Sequence, residues 1–150
     1  MKNKQLTFLT LIILVVILAL VLDKFNIFHR SAEPYFGRNI DQFCLNDRCY
    51  QVNDPNLNQE IISPTIEKWK TIKLIDIISE NKDKFKDLGF DPQKKVVLKI
   101  NNQSLEIGQI TSDYTGTLVK KENEDKIYKI NVVINKDNIN DPNYWANTTK

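Results

Sequence analysis

The order of apolar and polar residues separates a long apolar run near the N-terminus from the rest of the chain. Residues 6–22 carry no charged side chain, and Lys2 and Lys4 precede them. An uncharged run of this length is typical of a helix that crosses a membrane, and its end offers no small-x-small cleavage site. We therefore expect residues 1–24 to form a signal-anchor transmembrane helix and residues 25–37 to form a juxtamembrane linker.

The remaining residues, 38–150, show three stretches in which apolar and polar positions alternate. These stretches lie at residues 40–52, 96–107 and 117–131, and polar turn residues interrupt each of them. Alternation with period two indicates strands, and a polar break inside each stretch indicates a hairpin. The pattern predicts three β-hairpins.

Between residues 66 and 85 the spacing of apolar residues changes to that of a helix. The side chains that would share one face of this helix are Leu74, Ile77, Ile78 and Phe85. A short closing helix is expected at residues 132–140. Strands grouped around one helix are typical of an α+β domain with an antiparallel sheet. The predicted fold is thus α+β: an N-terminal transmembrane helix followed by a small antiparallel-sheet domain with one main amphipathic helix.

The two cysteines, Cys44 and Cys49, flank Asn46-Asp47, a pair suited to a two-residue hairpin turn. Such a turn places the cysteines opposite each other at a spacing that permits a disulfide. A structural disulfide is the favoured interpretation, and free thiols are the alternative. A zinc site would need more ligands, because His29 is the only histidine of the chain. A redox pair usually has two residues between its cysteines.

Trp69 and Trp145 are candidates for ligand or partner contacts. An indole ring at a surface can stack on a ligand, and its N–H can donate a hydrogen bond. The other interpretation is that both tryptophans pack on the body of the domain, Trp69 as a core residue and Trp145 through the turn at residues 141–145.

Charge and motifs exclude several classes of function. The chain of 150 residues carries a net charge of +2, and its lysines and carboxylates are interspersed, so no basic surface for nucleic acid is expected. The sequence has no phosphate-binding glycine loop and no zinc-protease motif. A triad would need a histidine in the domain, and His29 lies beside the predicted span. We expect no enzymatic activity, no cofactor and no metal.

Several short motifs follow one another between residues 88 and 130. They are Leu-Gly-Phe-Asp-Pro at residues 88–92, an alternating strand at residues 96–100, Leu-Glu-Ile-Gly at residues 105–108 and a strand at residues 127–130. This order resembles the bacterial family known as domain of unknown function 4340 (DUF4340). The resemblance implies an N-terminal membrane anchor, which is usual in that family, and it implies no catalytic residues. Some members occur with transporters related to gliding-motility ABC systems, which implies an accessory role in an envelope complex.

Together these observations predict a single-pass protein of the cell membrane with a cytoplasmic N-terminus and an extracytoplasmic domain at residues 38–150. Its expected role is that of a non-enzymatic accessory or scaffold subunit of a cell-envelope or ABC-transporter-like complex. The expected partners are the lipid bilayer, through residues 6–22, and a membrane protein. The alternative is a ligand- or peptide-binding module that serves a transporter.

Deletion of the apolar run tests the predicted anchor. The full chain is expected to stay in the membrane pellet during an alkaline carbonate wash, because returning the apolar run to water is unfavourable. A variant without residues 6–22 is expected in the supernatant. Immunoblots of the two fractions measure this distribution. A mature N-terminus between residues 22 and 32, found by N-terminal sequencing, would contradict the prediction.

Overall fold

The computed structural model of the protein describes residues 33–147. The predicted transmembrane helix at residues 1–24 lies outside the described residues, and so does most of the predicted linker. Tyr35 and Phe36, which lie within the predicted linker range, belong to the folded body: the Tyr35 amide donates to the carbonyl of Ile72 at 2.7 Å, and Phe36 is buried. Among residues 33–147, no helix is both long enough and apolar enough to span a membrane.

Within residues 33–147, seven strands form one antiparallel sheet. They are β1 (Gln42–Leu45), β2 (Arg48–Gln51), β3 (Leu74–Ser79), β4 (Val97–Ile100), β5 (Gln103–Ile110), β6 (Thr117–Lys121) and β7 (Ile127–Ile130). Their order across the sheet is β2-β1-β4-β5-β6-β7-β3. The helices are α1 (Gln59–Trp69), α2 (Lys136–Asn140) and α3 (Pro142–Trp145), with 3₁₀ turns at Lys82–Lys84 and Pro92–Lys94. Strands β2 and β3 are therefore the two edges of the sheet.

The predicted fold class is wrong. The described chain is mostly an antiparallel seven-stranded sheet with few helices, and no long amphipathic helix follows residue 69. Residues 74–79 form the edge strand β3, where Ile77 is 53% and Ile78 is 45% exposed. β-Branched residues favour strands. The pairing of β3 with β7 contains two register shifts, and these shifts break the alternation that would otherwise have marked the strand.

The three predicted hairpins are present. The first pairs Phe43 with Tyr50 and Cys44 with Cys49, which is the predicted register. Strands β4 and β5 form the second hairpin, and β6 and β7 form the third. Positive φ angles at Asn101 (48°) and Asn102 (65°) make the tight turn of the second hairpin, a conformation that asparagine tolerates well.

The main core lies between one face of the sheet and α1. The buried side chains of the central strands that contribute to it are Leu98, Ile100, Leu105, Ile107 and Val119. Helix α1 contributes Ile62, Ile66 and Trp69, which lie three or four residues apart and so share one face. The Asn58 side chain caps the start of α1 by accepting a hydrogen bond from the amide of Glu60 at 3.1 Å. We call this side of the sheet the inner face.

The opposite side of the sheet, the outer face, carries a second and smaller apolar cluster. Phe90, Leu118 and Ile127 are its buried members, and Phe85 and Leu88 pack against them. Lys120 of β6 stands opposite Ile127 of β7 on one side and opposite Glu106 of β5 on the other. The apolar cluster therefore lies beside charged residues on the same face. The loop between β3 and β4 covers only part of the outer face.

Two isoleucine-to-alanine substitutions distinguish this fold from the helical alternative. Ile107→Ala removes a fully buried side chain and is expected to lower the free energy of unfolding by about 2–5 kcal/mol. Ile78→Ala is expected to cost less than about 1 kcal/mol, because Ile78 is half exposed. Urea unfolding followed by fluorescence of the buried tryptophans measures both values. Equal losses of stability would contradict the position of Ile78 on an exposed edge.

Candidate functional site

The predicted cysteine pair is confirmed. Cys44 and Cys49 are direct partners across the β1–β2 hairpin, and their sulfur atoms are 2.00 Å apart, which is a disulfide distance. The pair ties the edge strand β2 to its only neighbour in the sheet. This position gives the cysteines a structural role at the edge of the sheet.

The predicted contact residues Trp69 and Trp145 lie in the main core. Their exposed fractions are 2% and 0%, and both rings pack against Phe43, with centroids 5.2 and 5.0 Å away. The indole nitrogen of Trp145 donates to the carbonyl of Ile139 at 2.8 Å, which satisfies it without a ligand. The structure therefore matches the packing interpretation, and neither ring offers a surface on which a ligand could stack.

A groove crosses the outer face of the sheet, and we call it the outer-face groove. It has a polar half of about 260 Å³ and an aromatic half of about 360 Å³, and both halves are lined by Lys95, Glu106 and Lys120. The polar half adds the side chains of Ser104, Lys121, Glu122 and Asn123, among others. The aromatic half adds Lys82, Phe85, Lys86, Phe90 and Pro92.

Glu106 forms the floor that the two halves share. Its residue is only 8% exposed, and its carboxylate lies 3.1 Å from the Lys120 ammonium and 3.9 Å from that of Lys95. The strand register explains this contact, because Glu106 of β5 stands opposite Lys120 of β6. Burying a carboxylate costs free energy unless it is paired, and the two ammonium groups provide that pairing. The ion pairs therefore fix the shape and the charge of the groove.

Two hydrogen bonds hold Ser104 in the wall of the polar half. The Ser104 hydroxyl donates to a carboxylate oxygen of Glu122 at 2.5 Å, and the Tyr35 hydroxyl donates to the Ser104 carbonyl at 3.3 Å. Ser104 is 6% exposed. Its hydroxyl group is therefore engaged in holding the start of β5 to the β6–β7 turn.

The β6–β7 turn beside the groove is held by a second carboxylate. The Tyr128 hydroxyl donates to Glu124 at 2.5 Å, and this hydrogen bond is the main cause that raises the pKa of Tyr128 to about 12. Hydrogen bonds from Lys121 and Tyr128 lower the pKa of Glu124. Tyr128 stays neutral and Glu124 stays charged near neutral pH, so these groups stabilise the turn.

The free edge of β3 is a second candidate surface. Five large apolar side chains of residues 33–147 are exposed, and three of them lie on this strand: Ile75 at 51%, Ile77 at 53% and Ile78 at 45%. The opposite edge, β2, carries none of the five and is tied by the disulfide. The two edges of the sheet therefore differ in chemistry, and of the two only β3 presents large exposed apolar side chains.

Within the part of the chain that the structure describes, no group of three or more His, Cys, Asp or Glu residues could hold a metal ion. The chemistry available in the groove is therefore that of ammonium groups, carboxylates and aromatic rings.

The outer-face groove was not predicted from the sequence. Its central contact joins β5 to β6 across the turn at residues 111–116, and no local pattern fixes the register of that pairing. The alternation of apolar and polar residues in the sequence places Glu106 and Lys120 at outward positions of their strands. A charged residue at such a position usually faces solvent, so it does not indicate a groove.

Two of the glycine motifs in the sequence contact each other beside the groove. Gln109 donates its amide proton to the carbonyl of Leu88 at 3.2 Å. A Cβ atom added at Gly108 would lie 2.6 Å from the Phe90 ring, so only glycine allows the ring to approach β5 this closely. Gly89 has a φ of +92°, which also favours glycine. The spacing of the two motifs thus reflects a single packing contact.

Comparison with known proteins identifies the family that shares these motifs. The family model described as a domain of unknown function (DUF4340) matches residues 51–149, which is more than half of the chain. The matched range includes β3 to β7 and both glycine motifs. A search of curated proteins and a search of solved structures found no match. The resemblance seen in the sequence is confirmed, and the chain belongs to the DUF4340 family.

Proposed function

We propose that the protein is a non-enzymatic accessory subunit of a cell-envelope complex and that it binds a membrane-protein partner through the free edge of β3. The observation that carries this proposal is the exposure of Ile75, Ile77 and Ile78 on one edge strand. Exposed apolar residues on a sheet edge favour association with another protein.

The edge offers two kinds of contact at once. Among residues 33–147, no strand pairs with the free side of β3, so the main-chain N–H and C=O groups on that side can pair with an added strand. An extended segment of the partner would form an eighth strand, as in other cases of β-strand addition. The half-exposed isoleucines would then be buried, which contributes on the order of 1 kcal/mol each.

Features of β3 favour a different protein over a second copy of the chain. A symmetric pair of β3 strands would bring Asp76 close to Asp76 of the other copy, and like charges across a strand pair are destabilising. The two register shifts in β3 also make the strand irregular. Both features are known to limit the pairing of identical edges. A partner strand with a basic residue opposite Asp76 would fit better.

The proposed location is the extracytoplasmic side of the cell membrane, with the N-terminus in the cytoplasm. The apolar run at residues 6–22 supports an anchor in the bilayer. The disulfide-distance cysteines support an oxidising compartment, because disulfides persist outside the cytoplasm. The proposed class of partner is a membrane protein, such as a subunit of an ABC-transporter-like complex, whose outer segments reach the domain.

The proposal excludes enzymatic activity for reasons that concern particular side chains. Ser104 is the hydroxyl group most enclosed by the groove, and it is buried and donates to Glu122. The only histidine of the sequence is His29, beside the proposed anchor. The Thr115 hydroxyl donates to Asp113 at 2.8 Å in the exposed turn between β5 and β6, but hydrogen bonds from Thr111 and Lys129 lower the pKa of Asp113, which makes this carboxylate a weak base.

A second candidate function is a ligand-binding module that serves a transporter. The outer-face groove favours it, because the groove combines aromatic rings with charged groups. This function would use the outer face of the sheet, whereas the accessory role would use its edge. Variants at the two places therefore separate the two functions.

Substitutions at matched exposed positions test the contact at β3. Ile77→Lys is expected to abolish a specific crosslink between the protein and its membrane partner in cells, because it places a charge among the exposed apolar side chains of β3. Val133→Lys is the control, since Val133 is also about half exposed (46%) but lies outside β3. Crosslinks from a photoreactive residue at position 75 are separated by gel electrophoresis and identified by mass spectrometry.

Three results of the crosslinking would contradict the proposal. The first is a crosslink that survives Ile77→Lys, and the second is a loss that is equal for the control. The third is a product with twice the mass of the chain, because it would identify a second copy as the occupant of the edge. A form without residues 6–22 is expected to lose the crosslink, because the proposed anchor holds the domain close to its membrane partner.

A further inference from the structure

The aromatic half of the outer-face groove carries an excess of positive charge. The charged residues that line it are Lys82, Lys86, Lys95, Lys120 and Glu106. Lys82 also pairs with Asp125 at 2.5 Å, which brings a second carboxylate to the rim. Four ammonium groups face two carboxylates, and a positive potential in a cleft attracts anions. The groove therefore favours an anionic ligand over a cation.

Two of these lysines are available to a ligand. Lys120 is the nearer partner of Glu106, at 3.1 Å, whereas Lys95 lies 3.9 Å away and its side chain is 55% exposed. Lys86 takes part in no ion pair among residues 33–147. The ammonium groups of Lys86 and Lys95 can therefore approach an anion without breaking the pair that holds the floor of the groove.

The rest of the aromatic half is apolar. The rings of Phe85 and Phe90 have centroids 6.3 Å apart, and Pro92 adds a third apolar surface. Phe90 is buried against Leu118, so it is held in place, while Phe85 is only partly buried and has surface left to cover. The volume of about 360 Å³ lies within the range of small-molecule sites, roughly 300–1,000 Å³.

We infer that the aromatic half of the groove binds a small amphipathic anion, in which an apolar body is joined to a phosphate or carboxylate group. The anionic group contacts Lys86 and Lys95, and the apolar body lies against Phe85 and Pro92. This inference goes beyond the proposed contact at β3. It depends on the outer face alone, so its failure and the failure of the edge contact are separate results.

Calorimetric titration of the full chain with 1-naphthyl phosphate tests the site. The protein is held in nanodiscs of neutral lipid, and empty nanodiscs supply the baseline. The wild-type chain is expected to bind the probe, and the double variant Lys86→Gln/Lys95→Gln is expected to bind it at least about tenfold more weakly, because two charge-assisted contacts are lost. Lys94→Gln is the matched control, since Lys94 is adjacent to Lys95 but does not line the groove.

Two further probes test the amphipathic character of the ligand. Inorganic phosphate lacks the apolar body and is expected to bind at least about tenfold more weakly than 1-naphthyl phosphate. Naphthylmethylammonium carries the opposite charge and is expected not to bind. The inference is overturned when wild type does not bind 1-naphthyl phosphate, when the double variant and the control behave alike, or when either further probe binds as tightly as 1-naphthyl phosphate.

The same titration distinguishes the two sources of such an anion. When the nanodiscs contain phosphatidic acid, weaker binding of 1-naphthyl phosphate indicates that the lipid headgroup competes for the site. That result supports the site and identifies its ligand as a lipid headgroup of the same membrane. Unchanged binding supports the site and assigns it to a soluble anion.

Discussion

The central strands of the sheet bury side chains on both faces, although α1 packs on the inner face only. On the inner face, Leu98, Leu105 and Ile107 lie beneath the helix in one large core. On the outer face the loop between β3 and β4 brings Phe90 over Leu118 and Ile127, and the Glu106–Lys120 ion pair occupies the remainder. The groove is the consequence, because a loop with few apolar residues cannot cover a whole face of the sheet.

The small helical content of the domain also explains the difference between the two edges of the sheet. Strand β2 is short and polar, and the disulfide joins it to β1. Strand β3 is longer and carries exposed isoleucines, which are costly to leave in water. Asp76 and the register shifts limit the pairing of β3 with its own copies, yet they leave its apolar side chains uncovered. A sheet with one protected edge and one apolar edge is consistent with a domain that binds a partner at one end.

The sequence predicted local pairings better than it predicted the overall fold. The hairpin register of β1 and β2 follows from the turn at Asn46-Asp47, because a two-residue loop leaves one register. The pattern does not predict helix α1, because Pro64 lies inside the helix and its buried apolar residues are Ile62, Ile66 and Trp69 alone. The pattern predicts a helix where β3 lies, because two irregular positions in six residues imitate a helical spacing.

The groove depends on contacts that no local pattern specifies. Glu106 and Lys120 meet only when β5 and β6 pair in one register, and the ring of Phe90 reaches β5 only because residue 108 is glycine. The family motifs contained part of this information, since their two glycines mark the contact between the loop at residues 88–92 and the end of β5. They did not indicate the charged residues beside it.

Amide hydrogen exchange in native membranes tests the central claim, which is that β3 is the docking edge. Exchange of residues 74–79 is compared between native membranes and the purified chain in detergent, with the β2 edge at residues 48–51 as the internal reference. The account predicts slower exchange of β3 in native membranes and no change in β2, because an added strand would bond the free amides of β3 alone. Equal exchange of β3 in the two samples, or protection that appears at β2 instead, would contradict it.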